Sequence, residues 1–416
     1  MICQLGKLLN LNVLKGSEVT PTLTLFINKI YKERGENMEQ DIEFGNAIER
    51  KLYVWAQNTL SPIYGVLELT PLCNMNCDMC YVRLSKKEMA SKGEMLSLDK
   101  WLMLAKEMKE AGVLFILLTG GEPLLYPHFR ELYLALLNMG MVITVNTNGT
   151  LMDEKWIDFF SQHKPRRINI TLYGKDKQEY TNLCHYPDGF EKTIWTIKKL
   201  KERNVAVKIN CSLTKINVNS YESILDIAKK LEVPVFMDTY MTPAVRERDK
   251  HFDFNVRLDP KIAAKTRVKV LRREMGDEVF IASAKLNIDL VKNTSIGKEI
   301  KSGMKCKAGK CSYMINWRGD MTPCVIMNSP SVSVLKIGFY QAWKMIVEQT
   351  NQIFMSEKCS QCSFRKVCNV CPSYSLLEEG AYDRAPQYLC KYTEYTIQYF
   401  KEELEKMEKE NENIEY

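Results

Sequence analysis

Between residues 63 and 240 the chain repeats one pattern six times: a short, nearly continuous apolar run, then a longer stretch with helical periodicity. The runs are 63–70, 113–119, 141–146, 167–173, 205–213 and 234–240. The helical stretches between them lie at about 97–111, 128–139, 153–163, 188–203 and 219–231. Strands apolar on both faces must be covered on both faces, and that is the habit of parallel sheets. Parallel neighbours are joined by right-handed crossovers, and a series of them curls into a full or partial barrel. The punctuation agrees. Asp99, Asp153, Asp188 and Asn219 stand near helix starts, where a side-chain oxygen satisfies a free amide. Gly112, Gly140 and Asn204 follow helix ends, where a left-handed residue is wanted. The fold expected is α/β, a partial (β/α)6 TIM-like barrel.

In barrels of this kind the working residues lie at the C-terminal ends of strands. Strand one ends in Cys73-Asn74-Met75-Asn76-Cys77-Asp78-Met79-Cys80-Tyr81, strand two in Thr119-Gly120-Gly121-Glu122-Pro123. Strand three ends in Asn146-Thr147-Asn148-Gly149 and strand four in Thr171-Leu172-Tyr173-Gly174. A structural zinc wants four ligands in a closed tetrahedron, and no fourth Cys or His is near Cys73, Cys77 and Cys80 in the sequence. A [4Fe–4S] cubane is usually held by four thiolates, so three leave one iron open. The plain alternative is three unrelated thiols on a loop, with ordinary tight turns at 120–123 and 146–149.

The chain has 416 residues, enough for such a barrel plus an appendage. Its fourteen cysteines fall mostly into spaced groups: 73/77/80, 306/311/324, and 359/362/368/371 with 390 beyond. Cys3, Cys184 and Cys211 stand alone, the last two as expected buried apolar thiols. Grouping of this kind favours metal or cluster binding over disulfides, hence a reducing, cytoplasmic setting. The formal charge of +7 drops to about +2 if eleven thiolates carry three cores of about 2+ each. With no basic stripe interleaved with aromatics, nucleic acid is not an expected partner. Nor is a membrane, because the best apolar run, Val113 to Leu118, has only six residues. The N-terminus shows no secretory cleavage pattern.

The cysteine loop with Tyr81 after its last Cys, followed one strand later by Gly120-Gly121-Glu122-Pro123, resembles the radical S-adenosylmethionine (SAM) superfamily. The resemblance implies a [4Fe–4S] cluster on Cys73, Cys77 and Cys80 whose open iron chelates the amino and carboxylate groups of SAM. It implies reductive cleavage of SAM to a 5′-deoxyadenosyl radical that abstracts hydrogen from substrate. Gly120 and Gly121 would let the backbone approach the ligand, with carbonyls and Glu122 accepting from the SAM ammonium. Thr171 and Asn148 would meet the ribose and Tyr81 would flank the adenine.

The C-terminal cysteines resemble the SPASM extension, which binds two auxiliary [4Fe–4S] clusters. By position the first would use Cys306, Cys311, Cys324 and Cys371, and the second Cys359, Cys362, Cys368 and Cys390. Two residues, Asn369 and Val370, separate Cys368 from Cys371 where the family pattern has three. The rival for 359–371 is a zinc ribbon. The expected division is an extension of unassigned role at 1–57, the barrel at 58–275, the auxiliary-cluster domain at 276–395 and a polar C-terminal helix or tail at 396–416. Amphipathic helices are expected at 23–32 and 45–57, and weak periodicity through 277–303.

Relatives of this type mostly modify peptides or proteins, so the leading expectation is maturation of a ribosomally made peptide by crosslink, thioether or epimerisation. A flavodoxin- or ferredoxin-like electron donor would be the second partner. The 57 leading residues are too short and too poor in strands for the leader-binding domain peptide maturases often carry. A tetrapyrrole- or small-molecule-modifying oxidoreductase is therefore the alternative. Sulfatase maturases place an Asp after the Cys that follows Gly-x4; here Val325 follows Cys324, which counts against that branch. From a different class, a non-catalytic iron–sulfur or zinc protein for electron transfer or regulation would not need Gly-Gly-Glu-Pro beside an open iron.

Overall fold

The computed structural model describes residues 47–242, 256–294, 303–304 and 306–412. Cys3, the helix expected at 23–32 and the charged connection at 246–250 lie outside them. The described residues form two compact units that do not follow chain order. One holds Leu60–Leu258 and Lys307–Gln352; the other holds those up to Thr59, Asp259–Cys306 and those from Ile353 onward.

The first unit is the barrel. Its strands are β1 (Tyr64–Glu68), β2 (Phe115–Thr119), β3 (Val142–Thr147), β4 (Arg167–Thr171), β5 (Val207–Ser212) and β6 (Val235–Asp238). All six run parallel in sequence order. Three more strands, β7 (Ser312–Ile315), β8 (Asp320–Thr322) and β9 (Val332–Ser333), extend the sheet beyond β1. The order is β6-β5-β4-β3-β2-β1-β7-β8-β9, with β7 parallel to β1 and the last two antiparallel. The six strands expected from sequence are all present; β7–β9 were not expected.

Between the strands run α2 (Lys86–Lys92), α3 (Leu98–Glu110), α4 (Phe129–Asn138), α5 (Glu154–Gln162), α6 (Lys177–Cys184), α7 (Gly189–Glu202) and α8 (Tyr221–Lys230), after α1 (Ala47–Thr59) in the other unit. Asp153 caps α5, accepting from Trp156 N at 3.0 Å. The cap of α3 is Ser97, accepting from Lys100 N at 3.4 Å, and Asp99 lies in its first turn. Gly112 and Gly140, at φ +84° and +86°, take the left-handed position after α3 and α4.

Alternation along the strands sorts the barrel. Leu67, Leu118, Val145, Ile170 and Ile209 are fully buried on one face. The opposite, inner face carries Val66, Leu117 and Met314 packed with Tyr64 and Val325. It also carries polar groups: Asn169 Nδ2 donates to Asn146 Oδ1 (2.7 Å) and Arg167 Nε to Asn169 Oδ1 (2.7 Å). An apolar floor with a polar lining suits a ligand cavity.

The second unit is helical: α9 (Pro260–Met275), α10 (Asp277–Lys292), α12 (Pro372–Glu379) and α13 (Gln387–Glu412), numbered after α11 (Phe339–Asn351) of the barrel unit. Residues 277–292, where the sequence periodicity is weak, are regular helix. The helix expected toward the C-terminus is present in α13, but it is not solvated all round: its Ile397, Phe400, Leu404 and Met407 are buried against Val268, Leu271, Phe280 and Ala284. They recur at helical spacing within the charge run, so one stripe of a polar helix serves as core. Arg272 bridges the outer edge, bonding Asp277 (2.8 Å) and Glu403 (2.7 Å).

Candidate active site at the cysteine loop

Three parts of the barrel rim hold the loop after β1. Gly121 N donates to Thr70 O (2.7 Å), Glu122 N to Leu72 O (2.8 Å) and Leu84 N to Pro71 O (2.9 Å). Asn76 N and Asp78 N donate to Cys184 O (3.1 Å) and Leu183 O (3.0 Å), the last carbonyls of α6. The glycines are demanded by this packing. A Cβ on Gly120 would stand 2.6 Å from Thr70 O, and one on Gly121 2.4 Å from Leu72 O. Their close approach is to the chain's own loop, a different reason from the ligand approach expected from sequence.

Glu122 is fully buried and ties two rim motifs together. Its Oε1 accepts from Thr147 Oγ1 (2.8 Å) and Leu124 N (3.2 Å), and its Oε2 from Asn148 N (2.8 Å). Burial pushes its carboxyl up to about 7, against the lowering effect of those three donors. Pro123 starts the short turn that supplies Leu124. Asn148 turns back to the cysteines. Its Nδ2 lies 2.9 Å from Asn74 Oδ1 and 3.6 Å from Cys73 Sγ, while its Oδ1 accepts from Thr150 Oγ1 (2.7 Å). Asn74 Nδ2 closes the ring to Thr150 Oγ1 at 2.8 Å. Sequence reasoning missed Asn74 and Thr150; only the ring itself marks them out.

The donors at the three thiols test whether a cluster fits. Cys73 Sγ accepts from Met75 N (3.4 Å) and Cys80 Sγ from Arg83 N (3.3 Å). On either side of Cys77 the backbone is held by the Asn76 and Asp78 amides on the end of α6. Burial, then the Glu122 carboxylate, drives the Cys73 thiol up; for Cys77 the neighbouring Cys184 comes first, then burial. Such thiols ionise only when a metal supplies positive charge, and amide donors aimed at sulfur then stabilise the thiolates. With three thiols on one loop and nitrogen donors at Cys73 and Cys80, the donor set of the loop suits a cluster.

Tyr81 is half-buried next to Cys80, and burial, followed by the charges of Cys80 and Cys324, raises its hydroxyl to about 12. Thr171 ends β4 half-buried, its carbonyl accepting from Tyr180 Oη at 3.4 Å. In the helical unit, burial and then the charges of Cys390 and Cys362 raise Cys359 to about 11. Cys368 is raised to about 12 by burial, with Cys390 and Cys359 adding to it, and Thr393 Oγ1 donates to its sulfur at 3.5 Å. The four thiols expected for the second auxiliary cluster thus share one neighbourhood. Of the other expected set, Cys311 and Cys324 belong to the barrel unit, Cys306 and Cys371 to the helical unit. Cys184 and Cys211 are buried, but Cys184 is also the neighbour of Cys77 that sequence spacing could not show.

Residues 67–231 match the model of the Radical SAM superfamily. The chain is 22% identical over 344 residues to an AdoMet-dependent heme synthase of Methanosarcina barkeri, covering 78% of this chain and 95% of that protein. It is 24% identical over 346 residues to the antilisterial bacteriocin subtilosin biosynthesis protein AlbA of Bacillus subtilis, covering 80% and 72%. Its fold is similar to that of SuiB of Streptococcus suis in complex with S-adenosylmethionine, with TM-score 0.59, 18% identity, and 89% and 87% covered. The segment that matches the radical SAM superfamily model, residues 67–231, is the part of the parallel barrel that carries the three-thiol loop and the glycine turn, and the chain is similar to proteins of that superfamily.

Proposed function

We propose that this enzyme cleaves SAM reductively and uses the resulting radical to abstract hydrogen from a peptide, maturing a ribosomally made precursor by crosslink, thioether or epimerisation. The cysteine loop carries the reading: three thiols on the C-terminal rim of the barrel, with nitrogen donors at Cys73 and Cys80. A [4Fe–4S] cluster on Cys73, Cys77 and Cys80 would supply the electron for SAM cleavage and an open iron to hold it. The chain's own task is to fix those thiols. The Gly120–Gly121 turn and the end of α6 clamp the loop backbone, and Glu122 locks the turn to Asn148, which faces Cys73. The inner-face pair Asn146–Asn169 offers hydrogen bonds to a bound ligand, and Tyr81 and Thr171 would border SAM.

Support for a peptide comes from the bacteriocin biosynthesis relative and from SuiB, a fold neighbour also solved with its precursor peptide SuiA. Formylglycine formation is disfavoured, because Val325 packs on the inner face with Val66, Leu117 and Met314 where a carboxylate base would be needed. Two auxiliary [4Fe–4S] clusters on the C-terminal cysteines and a flavodoxin- or ferredoxin-like donor complete the proposal. A tetrapyrrole substrate is the second reading, favoured by the heme synthase match over 95% of that relative.

The test supplies anaerobically reconstituted enzyme with SAM, dithionite and a short cysteine-containing peptide encoded beside it. Loss of two hydrogens, or one deuterium gained from heavy water, is expected by mass spectrometry. An unchanged peptide together with consumption of a porphyrin would establish the second reading.

A further inference from the structure

Three bonds fasten the cysteine loop to the end of α6. Two are made by the backbone: Asn76 N donates to Cys184 O (3.1 Å) and Asp78 N to Leu183 O (3.0 Å). The third joins side chains, with His185 Nε2 2.6 Å from Asp78 Oδ1. A carboxylate only accepts, so the ring nitrogen is the donor. Almost any sequence could supply the backbone bonds; the side-chain bond needs these two residues.

His185 stands where a helix end prefers glycine. Its φ of +51° and ψ of +37° are left-handed, a conformation that glycine takes freely and that a Cβ makes costly. The chain nevertheless keeps an imidazole there, and the ring reaches a carboxylate 107 positions earlier. Local strain of this kind gathers at working sites. Asp78 stands between Cys77 and Cys80. Both side chains are partly exposed, so their pairing adds little to overall stability. What it fixes is local, the stretch of loop that carries two of the three thiols.

We propose that His185 is a positioning residue of the cysteine loop: it clasps Asp78 and holds Cys77 and Cys80 where a [4Fe–4S] core needs them. Groups one bond beyond the ligands orient them and govern how firmly the metal is held. The inference rests on Cys73, Cys77 and Cys80 being the ligands, as proposed above.

The test compares wild type with His185→Gly, His185→Gln, Asp78→Ala and the double variant Asp78→Ala/His185→Gly, all reconstituted anaerobically. An iron chelator is added while the electron paramagnetic resonance signal that changes with SAM is followed, and denaturant midpoints are measured alongside. Glycine separates two roles, because it replaces a mere helix cap without loss but removes a clasp. His185→Gly is expected to keep or raise the denaturant midpoint, yet lose the SAM-responsive signal about two- to fivefold faster, the scale of an exposed charge pair. His185→Gln, with an amide N–H of similar reach, should return to the wild-type rate. The double variant should be no faster than either single one. Equal rates in wild type and His185→Gly overturn the inference, as does a Gln variant as fast as the Gly variant, or a double variant in which the two effects multiply. If His185→Gly loads no cluster, His185→Gln decides: wild-type loading supports the clasp and failure to load overturns it. A wild-type enzyme with no SAM-responsive cluster would instead overturn the ligand assignment beneath it.

Discussion

At Gly121 the space for a side chain is already taken, by Leu72 O at 2.4 Å and Pro71 O at 2.7 Å from where a Cβ would stand. Gly121→Ala is expected to destabilise the barrel by about 1–3 kcal/mol, the usual cost of overpacking. It should also lower iron retention at the loop, read by iron analysis after desalting; full retention would contradict the role given to this turn. Glu122 has a pH signature. Its folded pKa, about 7, lies above the ordinary 4.5, so between those values the folded chain binds the extra proton and stability falls as pH rises. The span corresponds to about 3 kcal/mol. Unfolding of the cluster-free chain from pH 4.5 to 7 should therefore slope less in Glu122→Gln than in wild type. The variant should also lose about 1–3 kcal/mol, because its amide would face the Asn148 N–H; equal slopes would remove the assignment. Gly-Gly-Glu-Pro was legible in the sequence as a motif, but its reason was not. The glycines make room for Thr70–Leu72, some 50 positions earlier, and no local pattern reports a partner so distant. The neighbours Cys77 and Cys184 escaped for the same cause.

The barrel's elements were the most readable, because six apolar runs alternating with amphipathic stretches leave few folds open. What escaped was short or masked by charge. The helix α6, Lys177–Cys184, buries only Tyr180, Leu183 and Cys184, too little periodicity in eight residues to stand out, though its end cradles the loop. Strand β7 has four residues, and its place beside β1 is set by pairing such as Tyr64↔Ser312. In α13 the stripe Ile397, Phe400, Leu404 and Met407 was hidden in a glutamate- and lysine-rich run. Phe400 packs edge-on to Phe280, ring centroids 5.9 Å apart. Phe400→Ala is expected to cost about 3–5 kcal/mol, seen as a lower denaturant midpoint. A change below about 1 kcal/mol would return α13 to the surface role its composition suggests.

For the whole molecule the decisive quantity is what the eleven grouped cysteines hold. Within the helical unit Cys359, Cys368 and Cys390 are raised by burial first and then by neighbouring cysteines of the same group, as thiols gathered for one cluster would be. With the loop cluster and a second auxiliary one, the chain should carry about twelve irons. Among the described residues no helix is long and apolar enough to cross a membrane. The most direct measurement pairs iron content with 5′-deoxyadenosine release from SAM and dithionite, in wild type and in the variant with Cys73, Cys77 and Cys80 all changed to Ala. The account predicts about twelve irons and release in wild type, against about eight irons and no release in the variant. Release retained by the variant, or zinc in place of iron in wild type, would contradict it.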